Sequence, residues 1–171
     1  LPLARRADGA PLSAEALRAA AEGAPAVLVA EGPDPGDGAL RVHGVDAAVV
    51  AALVGEALTD EAGWRLRQAR AAALAAAPAL PAAPADALAR TPLQGDGVHG
   101  VAWLAPGAAP QVVVARAGRV LGALPLPGDL PVQAILDGDA VAVRWVDARF
   151  EPGDPEGAVA AVHAATGRLV K

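Results

Sequence analysis

Two stretches of this chain occur twice, and that repetition limits its fold more than any other feature. Leu93-Gln94-Gly95-Asp96, followed by Val98, returns as Leu136-Asp137-Gly138-Asp139, followed by Val141, and each copy leads to a tryptophan, Trp103 or Trp145. Ala117-Gly118-Arg119-Val120-Leu121 likewise matches Thr166-Gly167-Arg168-Leu169-Val170, with the two glycines 49 positions apart. Self-similarity at a period of roughly 40–50 residues marks repeat architectures, in which like units stack and share a core. A chain of 171 residues has room for only a few such units.

Composition narrows the function classes. The chain is 54% hydrophobic but only 2% aromatic, so much of its apolar content is alanine and large core residues are few. It lacks Cys, Met, Tyr and Asn, and Lys171 is its only lysine. Without cysteine there is no disulfide framework, no thiolate nucleophile and no zinc–cysteine site. The formal charge is −5, with arginines scattered along the chain. A duplex-binding surface needs a concentrated basic face, so nucleic acid is not an expected partner. No apolar run is long enough to form a transmembrane segment.

Residues 1–44 read as a short α/β segment. Ser13 caps a helix beginning Ala14-Glu15-Ala16-Leu17-Arg18, with Glu15 in the first turn where the helix dipole favours an acid, and Gly23 and Pro25 end it. Strands are expected at Ala26 to Ala30 and Ala39 to His43, joined by a Pro/Gly/Asp loop. Residues 45–77 form a helical segment with a break at Thr59-Asp60-Glu61, and Glu61 and Arg65 stand four apart as a surface pair. Residues 78–92 form a Pro/Ala-rich linker, and residues 93–171 a β-repeat region. Strands are expected there at Val98–Leu104, Gln111–Arg116, Arg119–Leu124, Val132–Leu136, Asp139–Val146 and Gly157–His163, with Asp137-Gly138 as a hairpin turn.

The C-terminal sequence Ala161-x-His163-x-x-Thr166-Gly167-Arg168-x-x-Lys171 resembles the repeat motif of the PQQ-like, quinoprotein-type β-propellers, A-x-D-x-x-T-G-K-x-x-W. Gly118 and Arg119 match the same corner, and the resemblance covers about residues 93–171. His163 stands where the family has an acid and Lys171 where it has a docking tryptophan. The resemblance implies a mainly β fold of propeller-like antiparallel β-sheets, with an α/β N-terminal segment and a helical insertion; the alternative is an α+β single domain. A closed propeller takes at least four blades of about 40 residues. The chain therefore either belongs to a larger propeller, or associates with other chains, or arranges these strands as another antiparallel sheet. Redox enzymes of the family hold their cofactor with a calcium site that includes asparagine, and many add a vicinal cysteine pair. With neither residue type present, the resemblance points to the non-catalytic branch, which scaffolds outer-membrane protein assembly. The expectation is a periplasmic or secreted protein-binding module without a cofactor.

The candidate partner surface comprises Arg65, Arg67 and Arg70 on the second helix together with Trp103 and Trp145, since exposed tryptophan and arginine anchor interfaces. Ala161, His163, Thr166, Gly167, Arg168, Gly118 and Arg119 carry the repeat motif and are expected to be structural. His43, His99 and His163 have no short ligand spacing and read as ordinary sheet histidines. The acidic loops Glu31/Asp34/Asp37 and Glu151/Asp154/Glu156 read as turn chemistry, so no metal is expected. The only serine is the cap Ser13, and no phosphate loop or nucleophile elbow is present. The competing class is a small metal- or carboxylate-dependent enzyme or redox-associated domain.

Overall fold

The structure, a computed structural model, describes residues 1–87, 89–95, 97–139, 141–153, 157, 160, 162 and 164. Among them the protein is mainly β, with eleven strands and three α-helices arranged in antiparallel and mixed open sheets. No closed barrel or propeller forms among the described residues. None of their helices is long and apolar enough to cross a membrane. The chain divides into two compact units, Leu1–Gln68 and Ala69–Lys171.

The first unit is a four-stranded sheet with helices on both faces. Strands β1 (Ala4–Arg6) and β2 (Pro11–Leu12) form a hairpin, α1 (Ala14–Glu22) follows, and β3 (Val27–Val29) and β4 (Leu40–His43) pair in parallel, giving the order β2-β1-β4-β3. The expected cap is present: Ser13 Oγ accepts from the Ala16 amide at 3.1 Å. Leu17 and Ala21, one helical turn apart, face the sheet and are buried. They meet Val27, Leu40 and Val42, together with Val50 of α2 (Ala47–Val54). α2 is capped by Asp46 through the Ala48 amide. The opposite sheet face presents Ala26, Leu28 and Ala39 to Trp64, near the start of α3 (Glu61–Ala76). Strand alternation makes this two-sided packing possible.

The second unit is built on a five-stranded mixed sheet. Strands β5 (Arg90–Gly95) and β6 (Val98–Leu104) form one hairpin, and β7 (Gln111–Arg116) and β8 (Arg119–Pro125) another. Strand β9 (Val132–Asp137) lies between them, antiparallel to β6 and parallel to β7, so the order is β5-β6-β9-β7-β8. Its sequence explains the central place: Val132, Ala134, Ile135 and Leu136 are all buried, as a strand covered on both faces requires. Leu93, Ala102, Val112, Ala134 and Leu136 form the core on one face, joined by Leu126 and Val162. Strands β10 (Val143–Val146) and β11 (Arg149–Pro152) form a separate two-stranded ribbon.

Several sequence expectations are corrected, among them the strand expected at Asp139–Val146, which among the described residues is confined to Val143–Val146. Asp137-Gly138 does not close a hairpin, because β6 and β7 occupy both edges of β9 and β10 pairs only with β11. Gly157–His163 is not a strand in its described part: Gly157, Ala160 and Val162 have helical backbone, as does Ala164. Alanine's helix propensity outweighs the weak alternation there, and burying Val162 in the core rewards that choice. Ala161, His163, Thr166, Gly167 and Arg168 lie outside the described residues. The Pro/Ala-rich stretch is also more engaged than its composition indicates. Leu80 N–H donates to Gly118 O and Val120 N–H to Pro78 O, while β5 begins at Arg90 within it.

Candidate functional site

The second face of the five-stranded sheet is polar and half open. Cross-strand register places Gln94, His99, Asp137 and Ala115 in one row, Pro92, Val101, Ile135 and Val113 in the next, and Arg90, Trp103, Gln133 and Gln111 in the third. Residues directly opposite one another in register project from the same face. The middle of this face is buried at Ile135, Asp137 and Ala115, whereas Val101, Trp103 and Val113 stay half-buried around it. Gln111 donates to Gln133 Oε1 at 2.9 Å, and Gln133 in turn donates to the Ala109 carbonyl. Trp103 thus sits between an aliphatic patch and a satisfied amide pair.

A cleft of about 300 Å³ opens on this face. Leu80, Pro81 and Ala83 of the proline-rich stretch line it on one side, and Val101 and Ile135 of the sheet on the other. Gln94, His99 and Asp137 supply its polar side chains. The Ala117-Gly118 corner organises one end. Both residues have positive φ, 50° and 72°, the geometry of a tight hairpin turn that matches strand twist. Gly118 N–H donates to Asp137 Oδ2 at 2.9 Å, and Gly118 O receives Leu80 N–H at 2.8 Å. One repeat-motif glycine therefore ties the proline stretch and the buried carboxylate to the same turn. Arg119 of that motif donates to the Ala77 carbonyl at 3.1 Å. Asp137 is only 8% exposed, and its Oδ1 has no hydrogen-bond partner among the described residues.

The arginines expected to form the partner surface have partners within the chain. Arg65 pairs with Glu61 at 3.1 Å, Arg67 stacks over Trp64 at 5.6 Å, and Arg70 lies over Trp145 at 5.9 Å. Trp145 also meets Phe150 edge-to-face across the β10–β11 ribbon, with ring centroids 4.9 Å apart. Trp103 alone of these five residues lies on the cleft-bearing sheet face.

The first unit has a wider cleft of about 600 Å³, lined by Arg6, Asp8, Asp34 and Arg41 among others. Its buried charge is already occupied. Arg41 donates to both oxygens of Asp37, at 2.6 and 2.8 Å, and lies 3.4 Å from Glu61. Trp64 Nε1 donates to Asp37 Oδ2 at 2.6 Å. The Arg41 hydrogen bonds hold the Asp37 carboxyl well below the usual carboxylate range against opposing desolvation, with help from the Trp64 and Ala39 N–H groups. Hydrogen bonding to Asp37 likewise raises the already high Arg41 pKa. This cluster fastens the 31–38 loop to the sheet and to α3.

By sequence, Asp137 and Asp37 are both turn residues. The burial of Asp137 and the pairing of Asp37 depend on strands and helices brought in from elsewhere in the chain. The one local sign for Asp137 is its place at the end of an unbroken apolar run, Ala134-Ile135-Leu136. Among the described residues, no three His, Asp or Glu side chains converge as a possible metal site. Comparison with known protein families, curated proteins and solved structures finds no match.

Proposed function

We propose that this chain is a non-catalytic module that binds another protein through the open face of its five-stranded sheet. One observation carries the reading: Trp103 stays half-buried beside Val101 on a rigid, paired strand, with hydrogen-bonding amides on one side and a cleft on the other. Interfaces take this form, with an aromatic anchor, an aliphatic surround and a polar rim. The propeller-type origin of the β region belongs to the same proposal. It is supported by the tight Ala117-Gly118 turn between β7 and β8, a glycine corner of the kind the resemblance expects between successive antiparallel strands. A periplasmic or secreted setting, and association with further β repeats, accompany that origin.

The test is affinity capture with the immobilised chain and with Trp103→Ala, after melting curves establish that both are folded. Quantitative mass spectrometry should show a protein retained by the parent and depleted at least tenfold by the variant. If no retained protein depends on Trp103, the reading is wrong.

A further inference from the structure

We infer that the cleft beside the proline-rich stretch is a socket for one basic side chain, an arginine or lysine, presented by the partner protein. The inference rests on the sheet-face reading above and names what that face selects. Its basis is the carboxylate of Asp137, a cleft-lining residue 8% exposed, with Oδ2 occupied by Gly118 N–H and Oδ1 buried without a hydrogen-bond partner among the described residues. An ionised carboxylate accepts donors at both oxygens, and a buried one without a donor is costly. The neighbouring cation does not supply one. Arg116 alternates with Ala115 along β7 and therefore leaves the opposite sheet face, where its guanidinium donates to the carbonyls of Asp139 and Val141.

The walls discriminate between possible occupants. A hard metal ion needs several oxygen ligands, and no such set converges among the described residues. A basic side chain brings several N–H donors on an aliphatic stem, and long cationic side chains bury that stem readily. Leu80, Pro81, Val101 and Ile135 offer apolar contact for the stem, while Gln94, across His99 from Asp137 in the same row, adds an amide oxygen to the cleft lining. A cleft of about 300 Å³ accommodates one such side chain but not a folded element. Charge complementarity thus selects a basic group over an apolar or acidic one.

The probes are acetylated, amidated tripeptides Gly-X-Gly with X as arginine, lysine, citrulline or norleucine, titrated into the full chain. Backbone amide shifts of Gly118, Val101 and Ile135 are followed by NMR. The arginine and lysine peptides should shift these amides saturably. Citrulline, a neutral analogue of arginine, and norleucine should bind at least tenfold more weakly. Asp137→Asn keeps an oxygen for Gly118 N–H and should reduce the basic peptides to the neutral level. Ala83→Trp, which fills the cleft and leaves the carboxylate in place, should do the same and serves if Asp137→Asn does not fold. Equal binding of arginine and citrulline peptides, or arginine binding that survives both variants, overturns the inference. A Trp103-dependent partner retained equally by Asp137→Asn would overturn the socket alone and leave the sheet-face reading standing.

Discussion

Replacing Arg41 with methionine isolates the electrostatic lock of the first unit. The guanidinium makes two hydrogen bonds to Asp37, at 2.6 and 2.8 Å, and its side chain is 4% exposed. Methionine retains an apolar stem against the sheet and removes only the charged fork. Breaking a fully buried pair costs about 3–5 kcal/mol because the remaining charge is stranded. Here the remaining carboxylates reach water, with side-chain exposures of 27% for Asp37 and 39% for Glu61, and Asp37 keeps its Trp64 and Ala39 donors. Solvent screening therefore reduces the loss to about 1–2 kcal/mol, a fall in Tm of roughly 2–8 °C. The sign of the pH dependence follows from Asp37. Its folded pKa is depressed below an unfolded value of about 3.9, so the stabilisation is complete above about pH 5 and dwindles as pH falls further. Urea and thermal unfolding of parent and Arg41→Met between pH 7 and pH 3 should show a gap that is full at neutrality and narrows in acid. An unchanged Tm at pH 7, or a gap indifferent to pH, would refute this account.

Two further predictions concern backbone geometry in the second unit. Asp147 and Ala148 turn the β10–β11 ribbon with φ of 48° and 60°, a conformation that disfavours side chains, so Ala148→Gly should raise stability by about 0.5–1 kcal/mol in urea titrations. A Cβ at Gly100 would run into the carbonyl oxygen of Ile135 on the paired strand, which cannot swing aside as a side chain would. Gly100→Ala should cost about 3 kcal/mol or more, the upper end of overpacking effects, read as a lowered urea midpoint; a neutral result would show that β6 and β9 part freely.

Much of the local structure was legible in the residues. Alternation places β6 and β7 at Val98–Leu104 and Gln111–Arg116, the bounds expected from turn residues and apolar runs. Ser13 caps α1 as its chemistry requires, and Glu61 pairs with Arg65 one helical turn on. The β1–β2 hairpin escaped notice because its strands, of three and two residues, are too short to display a period. Of the candidate site, the sequence singles out Trp103, while by sequence Asp137 is a turn residue and His99 an ordinary sheet histidine.

The Ser13 cap, the corner at Ala117-Gly118 and the two-fold alternation of β6 and β7 were determined by the sequence alone, since each depends on residues within one turn or strand of one another. Only the tertiary structure decided that β9 enters between two hairpins, that Asp137 is buried with Gly118 N–H on its carboxylate, and that Asp37 joins Arg41 to Trp64. These outcomes turn on which edges and faces remain unoccupied once distant segments have packed. Strand pairing and desolvation are set by those long-range contacts: the apolar run Ala134-Ile135-Leu136 signals a buried strand, but not which strands flank it.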